Sequence, residues 1–304
     1  MIKKFIKFLK KISEIQERVY KIQEAIGRIE SRQIAEYESK DFLKSQFRVF
    51  SQWGEDGLLQ YLVSNVKFCN NKFIEFGVED YYESNTRFLL SNNNWSGLII
   101  DGDLENINKI KKDPIYWSSN LKAVNQFITK DNIDEIIKSN GFAGNIGILS
   151  IDIDGNDFWI FKAIDVVKPD LIIIEYNSIF GCDFPLSVPY DENFVRLKKH
   201  YSNIYYGASI RALNDLAVQK GYSLIASNDA GNNLFFLRKE ILGDIKPLSV
   251  EKAFKKSIFR ESKNFDGELS YLNYDERVKI ISDLELINTN TGETVFFKDL
   301  NKST

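Results

Sequence analysis

From residue 2 to residue 29 the apolar positions recur in steps of three and four: Ile2, Phe5, Leu9 and Ile12, then Ile15, Val19, Ile22, Ile26 and Ile29, with one break between Ile12 and Ile15. That spacing holds a stripe on one face of an α-helix. It predicts a long amphipathic helix over the first thirty residues and a polar linker from Glu30 to Lys44. Three fates are open to the greasy face: packing on the chain's own domain, a short coiled coil that makes a homo-oligomer, or an interfacial helix on a membrane.

Beyond the linker the pattern changes to short apolar runs separated by helical segments. Lys72–Phe76 (KFIEF), Gly97–Asp101 (GLIID), Gly147–Asp152 (GILSID) and Asp170–Glu175 (DLIIIE) are Ile- and Leu-rich, and each nears an acid at its carboxyl end. Runs of this length suit strands buried on both faces of a parallel sheet. Helix candidates lie between them around Asn85–Ser91, Leu104–Lys112, Asn132–Ser139 and Phe158–Ile164. Alternating strands and helices predict an α/β, doubly wound, mostly parallel sheet with ligands at the strands' carboxyl ends. Tyr222–Ala226 and Leu234–Arg238 flank the turn-rich Ser227–Asn233 and predict an antiparallel hairpin at the sheet edge. The expected division is residues 1–45 for helix and linker and 46–304 for the α/β domain, with a C-terminal extension from about residue 245.

Composition narrows the chemistry. In 304 residues there are two cysteines, Cys69 and Cys182, too few for a disulfide scaffold and suited to a reducing cytoplasm. His200 is the only histidine, so histidine-based metal sites and nucleophile triads are disfavoured and acid–base work falls to carboxylates, Lys or Tyr. The net charge of −3 gives no bias toward nucleic acid. Residues 1–12 hold five lysines and no acid, and without them the net −3 becomes −8. Those lysines interrupt any secretory apolar core, and no run reaches the roughly 18–20 residues that cross a bilayer.

The acids at the strand ends are the candidate chemistry. Glu75 is followed by Gly77, whose missing side chain allows a tight turn and a close approach to a ligand. The GxGxxG dinucleotide fingerprint is absent. Asp101 ends the next predicted strand, in the place where a carboxylate accepts from a ribose diol. Asp152, Asp154, Asn156 and Asp157 crowd the mouth of the fourth predicted strand, and Glu175–Tyr176–Asn177 ends its neighbour. Oxygen ligands from Asp152, Glu175 and Asn177 can hold Mg²⁺ or another hard cation without histidine. Asp152, Asp154 or Asp157, with Asn177, can instead orient and deprotonate an acceptor. The bland alternative is that Asp154–Asp157 is a turn and helix cap.

Five segments, Ser51–Gly57 (SQWGEDG), Phe73–Gly77 (FIEFG), Glu83–Thr86 (ESNT), Asn94–Asp101 (NWSGLIID) and Ser150–Asp157 (SIDIDGND), resemble FkbM-type methyltransferases. These are class I enzymes that use S-adenosylmethionine, many of them in glycan or natural-product tailoring. The resemblance runs from about Ser51 to Arg238 and continues into Ser257–Gly267. It implies that Glu75 and Gly77 contact the amino-acid part of S-adenosylmethionine, that Asp101 binds its ribose, and that Gln52 and Glu55 belong to a lid before the first strand. One departure is that Val78, Glu79 and Asp80 stand where class I enzymes usually carry further glycines. The expected activity is O-methylation of a sugar or surface-glycan precursor, in the cytoplasm or peripherally at the inner face of the membrane. Two alternatives stay open: a non-catalytic methyltransferase-like binding module, and a metal-dependent nucleotide-sugar transferase.

Overall fold

The computed structural model describes residues 2–36 and 42–300. Its strands are β1 (Lys72–Phe76), β2 (Ser96–Asp101), β3 (Leu121–Asn125), β4 (Gly144–Ile151), β5 (Val167–Glu175), β6 (Leu186–Ser187), β7 (Tyr222–Ser227), β8 (Asn233–Arg238), β9 (Glu285–Asn288) and β10 (Thr294–Phe296). The helices are α1 (Ile2–Glu36), α2 (Glu55–Asn65), α3 (Arg87–Asn93), α4 (Leu104–Lys112), α5 (Pro114–Ser118), α6 (Ile133–Ser139) and α7 (Asp157–Ala163). After them come α8 (Arg196–Lys199), α9 (Ile210–Gln219), α10 (Val250–Ala253), α11 (Tyr274–Ile281) and α12 (Phe297–Leu300).

Seven strands make one sheet in the order β3-β2-β1-β4-β5-β8-β7. β1 to β5 run parallel, and β8 enters antiparallel between β5 and β7. This is the expected doubly wound, mostly parallel α/β arrangement, with the expected hairpin at one edge. The strands are apolar throughout because both faces are covered. Ile74, Phe76, Leu98, Ile100, Leu149 and Ile151 pack with α6, α7 and α9, while Phe73, Ile99, Ile148, Leu171 and Ile173 pack with α2, α3 and α4 on the other face. Each such side chain contributes about 1.5–3 kcal/mol by leaving water, so the pleat is fixed in register across the sheet.

Three departures from the sequence expectation have local causes. β3 is short, with Lys122 and Asn125 exposed on an otherwise buried frame, and so lacked an apolar run. The helix α1 continues to Glu36, through part of the expected linker; of the remainder, residues 37–41 lie outside the described residues. The C-terminal segment is not a mere appendage. β9 pairs with both β10 and β6, so a second, antiparallel sheet joins residues 186–187 to the chain's last hundred. Ile179, Phe180, Leu186, Val188, Phe194, Ile281 and Leu286 form its core, of which Ile179 and Phe180 follow directly after β5 and Phe194 reaches the cleft described below.

Candidate functional site

A cleft of about 590 Å³ opens at the carboxyl ends of β1, β2, β4 and β5. Its place follows from the strand order: the chain leaves β1 toward β2 and returns to β4 on β1's other side, so the loops diverge there. Gly77 forms the floor. Its φ is +66°, and a Cβ would stand 1.7 Å from the Asp152 carbonyl oxygen. Only a hydrogen fits between the exits of β1 and β4. The Gly77 N–H donates to the Ile100 carbonyl at 3.0 Å, which ties the same turn to β2. Glu79 takes φ +48° and Tyr81 φ +62°, so a left-handed backbone persists where the sequence offers no glycine. Such conformations cost roughly 1–2 kcal/mol each, offset here by buried Tyr81, whose hydroxyl lies 2.9 Å from Thr86 Oγ1.

Asp101 ends β2 inside the cleft. Its Oδ2 accepts the Glu79 N–H at 2.8 Å; its Oδ1 accepts the Asp103 N–H at 2.8 Å and Asn106 Nδ2 at 3.3 Å. A carboxylate has about four lone-pair positions, so one remains on Oδ2 for a ligand. Gln52 also lines the cleft. Glu75 lines it too but is held from behind: Oε1 accepts the Asn85 N–H, and Oε2 accepts the Thr86 N–H and hydroxyl. It shapes the loop that walls the cleft, and burial pushes its carboxyl up to about 7 against those donors.

Glu55 corrects the expectation of a lid residue. It is buried, its Oε2 accepts the Trp53 and Gly54 N–H groups, and its Oε1 accepts Asn228 Nδ2 and Asn233 Nδ2 at 2.6 and 2.9 Å. Every acceptor position is spent joining α2 to the start of β8, so no cofactor contact is left for it.

The acids after β4 divide into two kinds. Asp157 is buried; its Oδ1 accepts the Ile153 N–H and its Oδ2 the Gly155 N–H, both at 2.9 Å. It shapes the turn, as the bland reading had it. Asn177 is likewise committed, with Nδ2 donating to the Ile204 and Tyr206 carbonyls at 3.0 Å and Oδ1 accepting the Ile179 N–H at 3.0 Å. Neither lines the cleft, and the carboxylates that come together there are Asp152, Asp154 and Glu175, without Asn177. Asp152, Asp154 and Glu175 do face the cleft, and each offers an oxygen within 4.8 Å of the others. Asp154 sits at φ +57° and takes Arg196 Nη1 on its Oδ1 at 2.6 Å. Glu175 Oε2 is buried and, among the described residues, has no hydrogen-bond partner.

Arg196 organises this corner. Its Nε donates to the Asn203 carbonyl at 2.9 Å, its Nη2 pairs with Glu261, and its guanidinium lies 3.5 Å over the Tyr206 ring. Burial opposes its charge, yet Tyr206, Glu175, Glu261 and Asp154 hold it protonated. Burial drives the Asp152 carboxyl well above the usual carboxylate range, aided by Asp154 and Asp157. It does the same to Glu175, aided by Asp152. Two carboxyls this close do not both ionise easily, so the pair holds a proton more tightly than free acids do.

No family model matches the chain, and no curated protein matches it. Among solved structures it is similar to an S-adenosylmethionine-dependent methyltransferase from Clostridium acetobutylicum, at 10% identity, 60% of this chain, 89% of that one and a TM-score of 0.38. An O-methyltransferase from Bacillus cereus in complex with S-adenosylhomocysteine gives 14% identity, 55% and 74% coverage and a TM-score of 0.36. The N-terminal domain of EvdMO1 with S-adenosylhomocysteine bound gives 12%, 55% and 72% and a TM-score of 0.37. What those proteins bind and act on is theirs.

Several cleft residues had no sequence signal. Arg196 lies in the four-residue α8 among Lys198 and Lys199, a pattern that reads as a solvated face. Glu261 and Phe259 arrive from the C-terminal segment; their one hint was the resemblance that continues through Ser257–Gly267. Phe259 stacks on Trp53 with ring centroids 5.7 Å apart and planes at 18°. Gln126, Phe127 and Ile128 line the cleft beside Asp101, and the Gln126 N–H donates to the Asp101 carbonyl at 3.0 Å. Ser209 and Arg211 serve the fold: Ser209 caps α9 and Arg211 pairs with Glu251.

Proposed function

We propose that the chain is an S-adenosylmethionine-dependent methyltransferase acting on an oxygen of a sugar or related glycan precursor. The observation that carries this reading is the charge of the cleft. Among the described residues, eight acidic side chains line it against one arginine, whose donors are already engaged. Such a field draws in a cation and repels a diphosphate, which favours a sulfonium cofactor over a nucleotide-sugar donor.

When bound, S-adenosylmethionine supplies an electrophilic methyl on a sulfonium. The Gly77 turn lets main chain approach the cofactor closely, and Asp101 Oδ2 retains the acceptor position that a ribose hydroxyl needs. Phe127 and Ile128 offer apolar surface at the same end for a base. Asp152, with the heightened basicity of its buried pair with Glu175, takes the proton from the acceptor hydroxyl. Arg196 fixes Asp154 and Glu261 around it. The stacked Trp53 and Phe259 present an aromatic surface to the cleft, of the kind that packs on the C–H face of a sugar ring. Most of the rate would come from holding hydroxyl and methyl in line. The unpartnered Glu175 Oε2 favours an alternative component, in which Asp152, Asp154 and Glu175 would hold a hard divalent cation such as Mg²⁺ that polarises the acceptor hydroxyl, with Asp152 a ligand and not the base. Loss of turnover in EDTA and its return with Mg²⁺ is the check on that component.

Thermal shift is the direct test of the reading. S-adenosylhomocysteine should raise the unfolding temperature saturably, with about 2.7 kcal/mol of stabilisation at a hundredfold excess over Kd, and UDP- and GDP-sugars should not. A shift with a nucleotide sugar and none with S-adenosylhomocysteine would overturn it.

A further inference from the structure

The helix α1 is attached to the domain by one face and leaves its apolar stripe uncovered. Tyr20 packs its ring on Tyr82 with centroids 4.8 Å apart, and Gln23 Nε2 donates to the Val49 carbonyl. Gly27 is buried at the contact, where a Cβ would stand 2.4 Å from Val49 Cγ2 and 2.9 Å from Phe88 Cζ. Positions 20, 23 and 27 share a side of the helix. At about 100° per residue, the stripe Ile12, Ile15, Val19, Ile22, Ile26 and Ile29 is centred roughly 100° around from it. These six side chains are 39–60% exposed. The chain's own domain therefore does not cover them, and six large apolar residues in a row on water call for a partner.

We infer that this stripe is the seam of a parallel three-stranded coiled coil formed with two further copies of the chain. The inference is independent of the methyltransferase reading. The partner is a helix because the stripe is narrow. From Ile12 to Ile29 apolar residues occupy two positions in every seven, an a/d seam of period about 3.5, whereas a face meeting a domain core carries about three or four in every two turns. The flanking positions are Gln16, Arg18, Gln23, Ala25, Glu30 and Arg32, which leave the seam no wider. Residues 13–30 carry three basic and four acidic side chains, so this stretch has no pull toward an anionic lipid surface. Isoleucine or valine at every a and d position favours three strands over two, because the packing of two-stranded coils prefers leucine at d. In a parallel register Ala25 of one copy faces Glu30 of the next and Arg18 faces the position of Gln23, whose side chain stays on Val49, so no like charges meet there. A three-fold axis along the seam closes the assembly.

The test is particle mass by light scattering on the full chain, with the double variant Val19→Glu/Ile22→Glu. Both positions are more than half exposed, so the domain's fold does not depend on them. The wild type should measure about 106 kDa, three times the 35.2 kDa chain, and the double variant a single chain with unchanged circular dichroism from the domain. A monomeric or dimeric wild type overturns the inference, as does a trimer that survives the substitutions. Flotation of a monomeric wild type with vesicles containing phosphatidylserine, lost in the double variant, would assign the stripe to a membrane and also overturn it.

Discussion

Gly77→Ala tests whether the close approach of β1 and β4 holds the cleft together. Two costs are separable. Alanine at φ +66° is strained by about 1–2 kcal/mol wherever it occurs. At Gly77 the new methyl also meets the Asp152 carbonyl oxygen at 1.7 Å, and real Cβ contacts do not fall under 3.0 Å, so the strand exits must part by about 1.3 Å. The atoms in the way are backbone and cannot rotate aside. They are pinned by the pairing of Glu75 with Ser150 and by the Gly77 bond to Ile100. Forced displacement in a packed site adds about 1–3 kcal/mol, for roughly 2–5 kcal/mol in all. Gly141 supplies the control: its φ is +80°, and a Cβ there meets nothing within 4 Å. Gly141→Ala should cost the strain alone. Urea unfolding of both variants, compared by midpoint at unchanged slope, measures the difference, and calorimetry with S-adenosylhomocysteine measures the site. Gly77→Ala should be less stable than Gly141→Ala by at least about 1 kcal/mol and should bind more weakly. Equal stability and wild-type affinity would refute the idea that this contact organises the cleft.

Two further outcomes follow from the division of roles among the buried acids. Asp152→Asn should lower turnover about 10²–10⁴-fold with S-adenosylmethionine affinity nearly intact, while Asp157→Asn should lower stability and keep activity per folded molecule; the reverse pattern in steady-state kinetics and thermal melts would exchange their roles. Glu75 titrates at about 7 folded and near 4.5 unfolded, with buried Asp56 as a nearby acid. Its contribution is therefore complete below pH 4.5 and lost as pH rises through 7. Wild type should lose about 3 kcal/mol more than Glu75→Gln over that window, and parallel stability curves in urea would show that Glu75 ionises freely in the fold.

What the sequence disclosed depended on whether a signal was local. Strands β1, β2, β4 and β5 were legible because both faces are buried, so each is a continuous run of Ile, Leu and Phe. The second sheet was not, since β6 has two residues and finds β9 about a hundred positions later. Gly77 and Asp101 were legible for the same local reason: each ends a recognisable strand. The errors at Glu55, Asp157 and Asn177 share a cause. A buried carboxylate or amide at the end of an element looks identical in sequence whether its lone pairs face a ligand or the neighbouring backbone, and these three face backbone N–H groups, carbonyls and amide side chains.

The pair Asp152 and Asp157 shows how fine that distinction is. They sit five residues apart in one motif beside the same turn, Asp157 buried and Asp152 half-buried. Asp157 opens α7, where the N–H groups of Ile153 and Gly155 converge on it, one on each oxygen, and it does not line the cleft. Asp152 comes directly after β4, before the turn begins, and the Gly77 main chain presses on its carbonyl while its carboxylate is left to the cleft. The functional assignment thus rests on where the strand stops, a boundary that hydrophobic pattern places only to within a residue or two. Arg196 and Glu261 could not have been found that way at all. Each is a lone charged residue in a polar segment, and what gives them a place in the site is a fold that carries Arg196 to Asp154 and Glu261 to Arg196 across 42 and 65 positions of chain.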